Sequence, residues 1–238
     1  MLECWSILII PMAMAWAFGF YVRRRKLAAW IFGVMLFAFT AGIFVSVPQE
    51  MGGNPNIDEM GIAQDLGSME GKEIRIGSAA SAMWGMVTTV TSNGSVNSMH
   101  DSQTPLSGMM QMLNMQINCW FGGVGVGWMN YFAFLIIAVF ISGLMVGRTP
   151  DYLGKRIEGR EITWCMVALL ACATPILCFS AVAAVSSWGT GALNNAGAHG
   201  LSEILYAFTS GAQNNGSAFA GLSANVPVWN VLLALAMF

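Results

Sequence analysis

The thirteen residues from Gly200 to Ala212 can form a helix, but one that rises only ~20 Å at 1.5 Å per residue, against a hydrocarbon core of ~30 Å. Such a run can enter a membrane and cannot cross it. It is followed at once by Gln213, Asn214, Asn215, Gly216 and Ser217, polar and turn-prone residues unsuited to lipid. Non-helical backbone at membrane depth is tolerated only where protein buries it or where it lines a watery path. The stretch therefore reads as a re-entrant pore helix followed by a pore-lining loop.

The same plan occurs upstream. Gly77 to Val90 is a second short run of small and apolar residues, and it leads into Thr91, Ser92, Asn93, Gly94 and Ser95. Both loops carry Asn-Gly-Ser, at 93–95 and at 215–217, an offset of 122 positions that marks an internal repeat. A membrane setting follows from composition: 56% of residues are hydrophobic, 9% are charged and the mean hydropathy is +0.62. Eight of the ten Lys and Arg fall in two short segments, Arg23-Arg24-Arg25-Lys26 and Arg148, Lys155, Arg156, Arg160. By the positive-inside rule residues 23–26 and 148–162 are expected in the cytoplasm, and the acid-rich segment 48–77 and the turn 186–199 outside.

The spans follow in order. Cys4 to Val22 crosses, with a kink expected at Pro11, and Leu27 to Val47 returns. Residues 48–76 read as an exposed loop with little periodicity. His100 and Asp101 follow the first pore loop; an ion-attracting mouth and a hydrogen-bonded pair holding the loop are equally good readings, and neither residue reads as a metal ligand. Leu106 to Val146 is about twice the length of a span and holds Gly122, Gly123, Gly125 and Gly127 in six positions. At roughly 1 kcal/mol each relative to Ala these glycines weaken a helix, so a loop at membrane depth is one reading. Close helix packing through the Gly-xxx-Gly spacing of Gly123 and Gly127 is the other, and pattern alone leaves both open. Thr163 to Val185 crosses again, and Val226 to Phe238, thirteen apolar residues, reads as a chain cut off within a helix. The five cysteines, Cys4, Cys119, Cys165, Cys172 and Cys178, match no zinc or haem spacing and read as small packing residues.

A dehydrated cation needs oxygens in place of its water shell, and backbone carbonyls at the ends of pore helices supply them. Glycine has no side chain to obstruct the axis and tolerates positive φ, so Gly94 and Gly216 suit that role. The C-terminal ends of the helices add partial negative charge. Asn-Gly-Ser also fits a glycosylation acceptor and a hairpin turn, yet neither explains two helices too short to span. No phosphate-binding Gly-rich loop with Lys, no Asp-Lys dipeptide and no Ser/His/Asp set is present, so the chain is expected to be non-catalytic and to need no cofactor.

Met69-Glu70-Gly71-Lys72-Glu73, Thr88 to Gly94, Met99-His100-Asp101-Ser102, Phe121-Gly122-Gly123-Val124-Gly125, Gly147-Arg148-Thr149-Pro150, Tyr152-Leu153-Gly154-Lys155 and the block from His199 to Asn225 resemble KdpA, the family of potassium-binding subunits of the bacterial Kdp-type potassium-transporting P-type ATPase. The resemblance implies an all-α integral membrane protein of four helix–pore helix–helix repeats, related to Trk and Ktr potassium transporters. It implies that this chain covers residues 1–26 as the end of one repeat, 27–147 as a complete repeat, 148–162 as a cytoplasmic loop and 163–238 as a final, partial repeat. It places the filter at Thr91, Ser92, Asn93 and Gly94 and at Asn214, Asn215, Gly216 and Ser217. It makes Gly122, Gly123, Gly125 and Gly127 a mid-membrane gating loop and Arg148 the arginine that steadies it. Two departures stand out: members of the family often have Cys where Asn93 stands, and Gly-Glu near Asn118 and Cys119. Potassium is then the transported ion and the only metal. Further implications are three partner proteins in the bacterial inner membrane, the ATP-hydrolysing KdpB and the small KdpF and KdpC, with no nucleic-acid partner. A stand-alone channel or symporter of the same superfamily, and a non-transporting scaffold, are the alternatives.

Overall fold

A computed structural model describes residues 2–123, 126–217, 219–223 and 225–238. Most of these are helical. Helices α1 (Leu2–Tyr21), α2 (Arg25–Met51), α6 (Val126–Val146) and α7 (Gly159–Val185) have 20, 27, 21 and 27 residues. They are the four, among the described residues, long and apolar enough to cross a membrane. The chain is accordingly a helical membrane protein. Helix α1 continues through Pro11, and α7 through Pro175.

The two short helices lie inside the protein. Helix α4 (Gly77–Val90, 14 residues) and helix α9 (Gly197–Ala212, 16 residues) rise about 21 and 24 Å, short of the hydrocarbon thickness. Each is the centre of its own apolar cluster. Met86, Val87 and Val90 of α4 join Cys4 and Leu8 of α1 with Ile31, Met35 and Phe39 of α2. Ile204, Phe208 and Ala212 of α9 join Ile176 and Ala183 of α7 with Trp229 and Ala236 of α10 (Pro227–Met237). Helix α2 shows why the first cluster forms. Its buried positions Ala28, Ile31, Met35, Phe39, Gly42, Ser46 and Glu50 recur every three or four residues, one stripe of a 3.6-residue helix, while Phe37 and Phe44 point outward. A third, smaller cluster joins the halves: Met115 of α5 (Pro105–Ile117) packs with Tyr206 and Phe219, whose rings stack at 4.3 Å.

Four departures from the sequence reading have local causes. Helix α2 runs through Pro48 to Met51, four residues beyond the expected end, because Pro48 lacks only its own N–H and its carbonyl still accepts from Gly52. The loop beyond is not wholly exposed or irregular: α3 (Pro55–Glu59) starts at Pro55 with Asn54 capping, its Oδ1 accepting from Asn56 N at 3.1 Å. Helix α9 starts at Gly197, three residues before the expected Gly200, and the added turn carries His199. The second basic loop is not free of strand: β1 (Asp151–Tyr152) and β2 (Lys155–Arg156) pair antiparallel across Leu153 and Gly154, both at positive φ, the geometry of a two-residue hairpin turn. Of the cysteines, Cys4 and Cys119 are buried as expected of packing residues, but Cys178 is exposed on α7.

Candidate functional site

The two Asn-Gly-Ser loops are built alike. Each leaves its helix through a residue in the left-handed region, Ser92 (φ 51°) after α4 and Asn214 (φ 65°) after α9, again 122 positions apart. Each is tied back to the last turn of its own helix by a hydroxyl. Thr88 Oγ1 donates to the carbonyls of Ser95 (2.7 Å) and Asn93 (2.8 Å). At the equivalent place Ser210 Oγ donates to the carbonyl of Ser217 at 2.9 Å. Further ties are Asn93 N to Thr88 O at 3.0 Å, Gly216 N to Ser210 O at 3.0 Å, and Trp84 Nε1 to Ser95 O at 3.0 Å. Asn93 Oδ1 accepts from Ser95 N at 2.7 Å, an Asx turn.

The loops meet each other. A Cβ on Gly94 would collide with the carbonyl oxygen of Asn215 and sit 3.2 Å from the carbonyl carbon of Gly216. Asn215 Nδ2 in turn reaches Thr88 O, at 3.4 Å. Gly216 has open space where its Cβ would be, but its φ is +66°. The two glycines thus serve different needs, close approach at 94 and backbone torsion at 216. Among the described residues, the carbonyls of Ser92, Gly94, Asn214, Asn215 and Gly216 accept no hydrogen bond, while those of Thr91, Asn93 and Ser217 do. Unpartnered carbonyls just beyond two helix C-termini are chemically suited to a cation that has lost water.

A break in the third long apolar stretch lies against these loops. Helix α5 stops at Ile117, capped by Asn118 in the left-handed region (φ 42°), and α6 resumes at Val126. Gly123 N donates to Thr91 O at 2.6 Å, and Gly127 N to Gly122 O at 2.9 Å. A side chain at Gly122 would meet Ser92 Oγ at 2.9 Å, and one at Gly127 would collide with Trp120 O. Gly125 lies outside the described residues. Of the two readings left open by pattern, the chain adopts the broken helix.

Asn118 is the residue that reading by motif did not place in the site. Its Oδ1 accepts from Ser92 Oγ at 2.8 Å, its Nδ2 donates to Gln213 Oε1 at 2.8 Å, and its carbonyl accepts from Asn130 Nδ2 at 2.9 Å. One side chain therefore joins both loops to the broken helix. Gln213, read from the sequence as the first residue of the second loop, gains a partner 95 residues away that pattern does not reveal. Arg148 is not brought to the glycine segment. It is exposed and follows the far end of α6, whose 21 residues rise about 31 Å.

His100 and Asp101 clip the two halves together. Both are buried. His100 Nδ1 pairs with Tyr206 Oη at 2.8 Å, and Asp101 Oδ1 with His199 Nε2 at 2.7 Å. Asp101 N donates to Phe219 O at 2.9 Å. Burial, with Lys72 nearby, lowers the His100 pKa to about 4; burial raises that of Asp101, against the opposing effect of His199. Asp101, His199 and Glu203 bring one ligand-type atom each within 4.8 Å of one another. Their oxygens are engaged by Asn195 Nδ2 and by the N–H groups of Asn194 and Asn195, so the cluster fixes the turn before α9.

A family model described as potassium-transporting ATPase A subunit, KdpA, matches residues 1–238. The chain belongs to this family. Among similar KdpA relatives, each named potassium-transporting ATPase potassium-binding subunit, that of Phocaeicola vulgatus is 65% identical over 97% of this chain and 42% of its own length. That of Bacteroides thetaiotaomicron is 62% identical over 100% of this chain and 44% of its own, and that of Nitratidesulfovibrio vulgaris 55% over 100% and 42%. The chain thus spans less than half the length of these KdpA relatives.

Proposed function

We propose that this chain forms part of the potassium-selective pathway of a Kdp-type transporting ATPase and contributes two walls of its selectivity filter. The observation that carries the reading is the meeting of two equivalently built loops, Gly94 against Asn215 and Gly216, each held by a hydroxyl of its own short helix. In this reading α4 and α9 are re-entrant pore helices of the Trk/Ktr/Kdp type. Residues 27–147 are one helix–pore helix–helix repeat, 1–26 and 163–238 belong to its neighbours, and 148–162 connect them. Thr91 to Gly94 and Asn214 to Ser217 form the filter. A potassium ion arriving from the side of residues 48–77 and 186–199 exchanges water for backbone oxygens, and the helix C-termini stabilise its charge. The segment with Gly122, Gly123 and Gly127 lies next on the path and gates it, with Asn118 passing its position to both loops.

ATP hydrolysis falls to a partner, KdpB, with KdpF and KdpC completing a complex in the bacterial inner membrane. The names of the relatives support the potassium assignment. In the whole protein Gly216→Asp is expected to abolish selective potassium uptake, because a charged side chain would enter a filter position at φ +66°. Normal uptake at micromolar potassium by that variant, in cells without other importers, would overturn the reading.

A further inference from the structure

We infer that the turn between α1 and α2 is a binding site for the phosphate headgroup of an anionic phospholipid. Gly19, Phe20, Arg23, Arg24, Arg25 and Lys26 line an open surface concavity of about 600 Å³. Four consecutive cationic side chains face it, all exposed, and among the described residues none is in a salt bridge. Helix α2 begins there with no acidic residue in its first turn. The positive charge is therefore uncompensated within the described residues.

The backbone beneath the concavity is a tight turn. Arg23 takes φ 58°, and Arg24 N donates to Gly19 O at 2.9 Å, closing the turn tightly. Gly19 has no Cβ and so admits Ala28 of α2 directly against α1. The guanidinium of Arg25 lies 4.7 Å above the ring of Phe20, which holds one arm of the site in place. Phe20 in its wall is 57% exposed, and Tyr21 and Trp30 on the flanking helix ends are 90 and 76% exposed, as aromatic side chains at the membrane–water interface are. Arginines that fork onto phosphate oxygens, next to exposed aromatic and apolar helix faces for acyl chains, match a diacyl lipid with a negative head better than a soluble anion. A topogenic role explains the charges alone; it does not require a concavity that gathers all four of them beside Phe20. The inference rests on the chain being a membrane protein and not on transport.

The test uses the full chain in nanodiscs of phosphatidylcholine containing a minority of phosphatidylglycerol, with lipids retained on the released protein counted by native mass spectrometry. Wild type is expected to retain phosphatidylglycerol preferentially. The double variant Arg24→Gln/Arg25→Gln should lose roughly tenfold or more of that preference. Lys155→Gln/Arg160→Gln, which removes the same charge from the other basic loop, should keep it. Equal losses in both double variants would reduce the effect to general surface charge and overturn the site. So would equal retention of phosphatidylcholine by wild type. Inorganic phosphate binding with the same dependence on Arg24 and Arg25, without lipid preference, would overturn the choice of a lipid. Should the double variant not insert, Arg25→Gln alone should show a loss of about fivefold, and no loss there would count equally against the site.

Discussion

Thr88 donates its hydroxyl proton to the carbonyl of Ser95 at 2.7 Å, and 122 residues later Ser210 does the same for Ser217 at 2.9 Å. A hydroxyl in the last turn of a helix ordinarily bonds back to the carbonyl three or four residues earlier. Here both point forward, seven residues on, and fold the departing chain over the helix end. The internal repeat is thus a repeat of hydrogen bonding as well as of sequence, and its two copies face each other at Gly94 and Asn215.

The two loop glycines, Gly94 and Gly216, should respond differently to substitution. Gly94→Ala places a methyl group on the carbonyl of Asn215 and is expected to disrupt ion selection severely. Gly216→Ala and Gly216→Asn have space but must hold φ near +66°, a cost of about 1 kcal/mol that Asn bears better than Ala. Measured as potassium over sodium uptake by the whole protein, the expected order is Gly216→Asn above Gly216→Ala, with Gly94→Ala lowest. A Gly94→Ala protein of normal selectivity would mean the loops do not meet as described.

Asn118 should couple the loops. Asn118→Leu leaves the buried Gln213 Oε1 without its donor, at about 1–3 kcal/mol, and removes the partner of the half-buried Ser92 Oγ, which water can partly replace. The thermal midpoint of the purified protein should fall, and amide hydrogen exchange should rise at both 91–95 and 213–217. Faster exchange in only one loop would show that Asn118 does not join them.

Glu50 and Lys72 form an ion pair at 2.8 Å with both side chains fully buried, and Glu50 Oε1 also accepts from Thr104 N (2.7 Å) and Oγ1 (2.8 Å) at the start of α5. Lys72→Met leaves a buried carboxylate without its cation and should destabilise by about 3–5 kcal/mol. Lys72→Met/Glu50→Gln should recover much of that loss. Denaturation of the three proteins in one detergent checks this, and a double variant no better than the single would refute it.

Acid should loosen the clip at His100. Its folded pKa, about 4, lies below the ordinary value of 6.5, so the unfolded chain binds the proton more readily between these values. Stability is therefore intact above pH 6.5 and declines as pH falls toward 4, by on the order of 3 kcal/mol in total. Asp101, shifted upward, acts in the opposite sense: its contribution is present below its unfolded pKa and is lost as pH rises through the folded one. The thermal midpoint of wild type should drop between about pH 7 and about pH 5, and His100→Gln should flatten that drop. An unchanged slope in the variant would assign the titration elsewhere.

Chain order alone determined much of this protein. Helix lengths set by 1.5 Å per residue, polar runs after Val90 and Ala212, and glycines 122–127 in an apolar stretch are local quantities; α4, the end of α9 and the break before α6 stand where they demand, and only the start of α9 lies a turn earlier. What pattern could not decide was anything that depends on contact across the chain. His100 and Asp101 fitted a mouth or a clip equally well until Tyr206 and His199, about a hundred residues away, were seen opposite them. Asn118 looked only like a departure beside the glycines, because its two amide partners sit on different loops. Gly94 and Gly216 looked interchangeable in sequence, since one residue type answers both a steric and a torsional demand; the packing of one loop on the other separates them. Arg148 shows the converse, a residue linked to the glycine segment only by family resemblance and placed by the 21 residues of α6 at the other end of that helix.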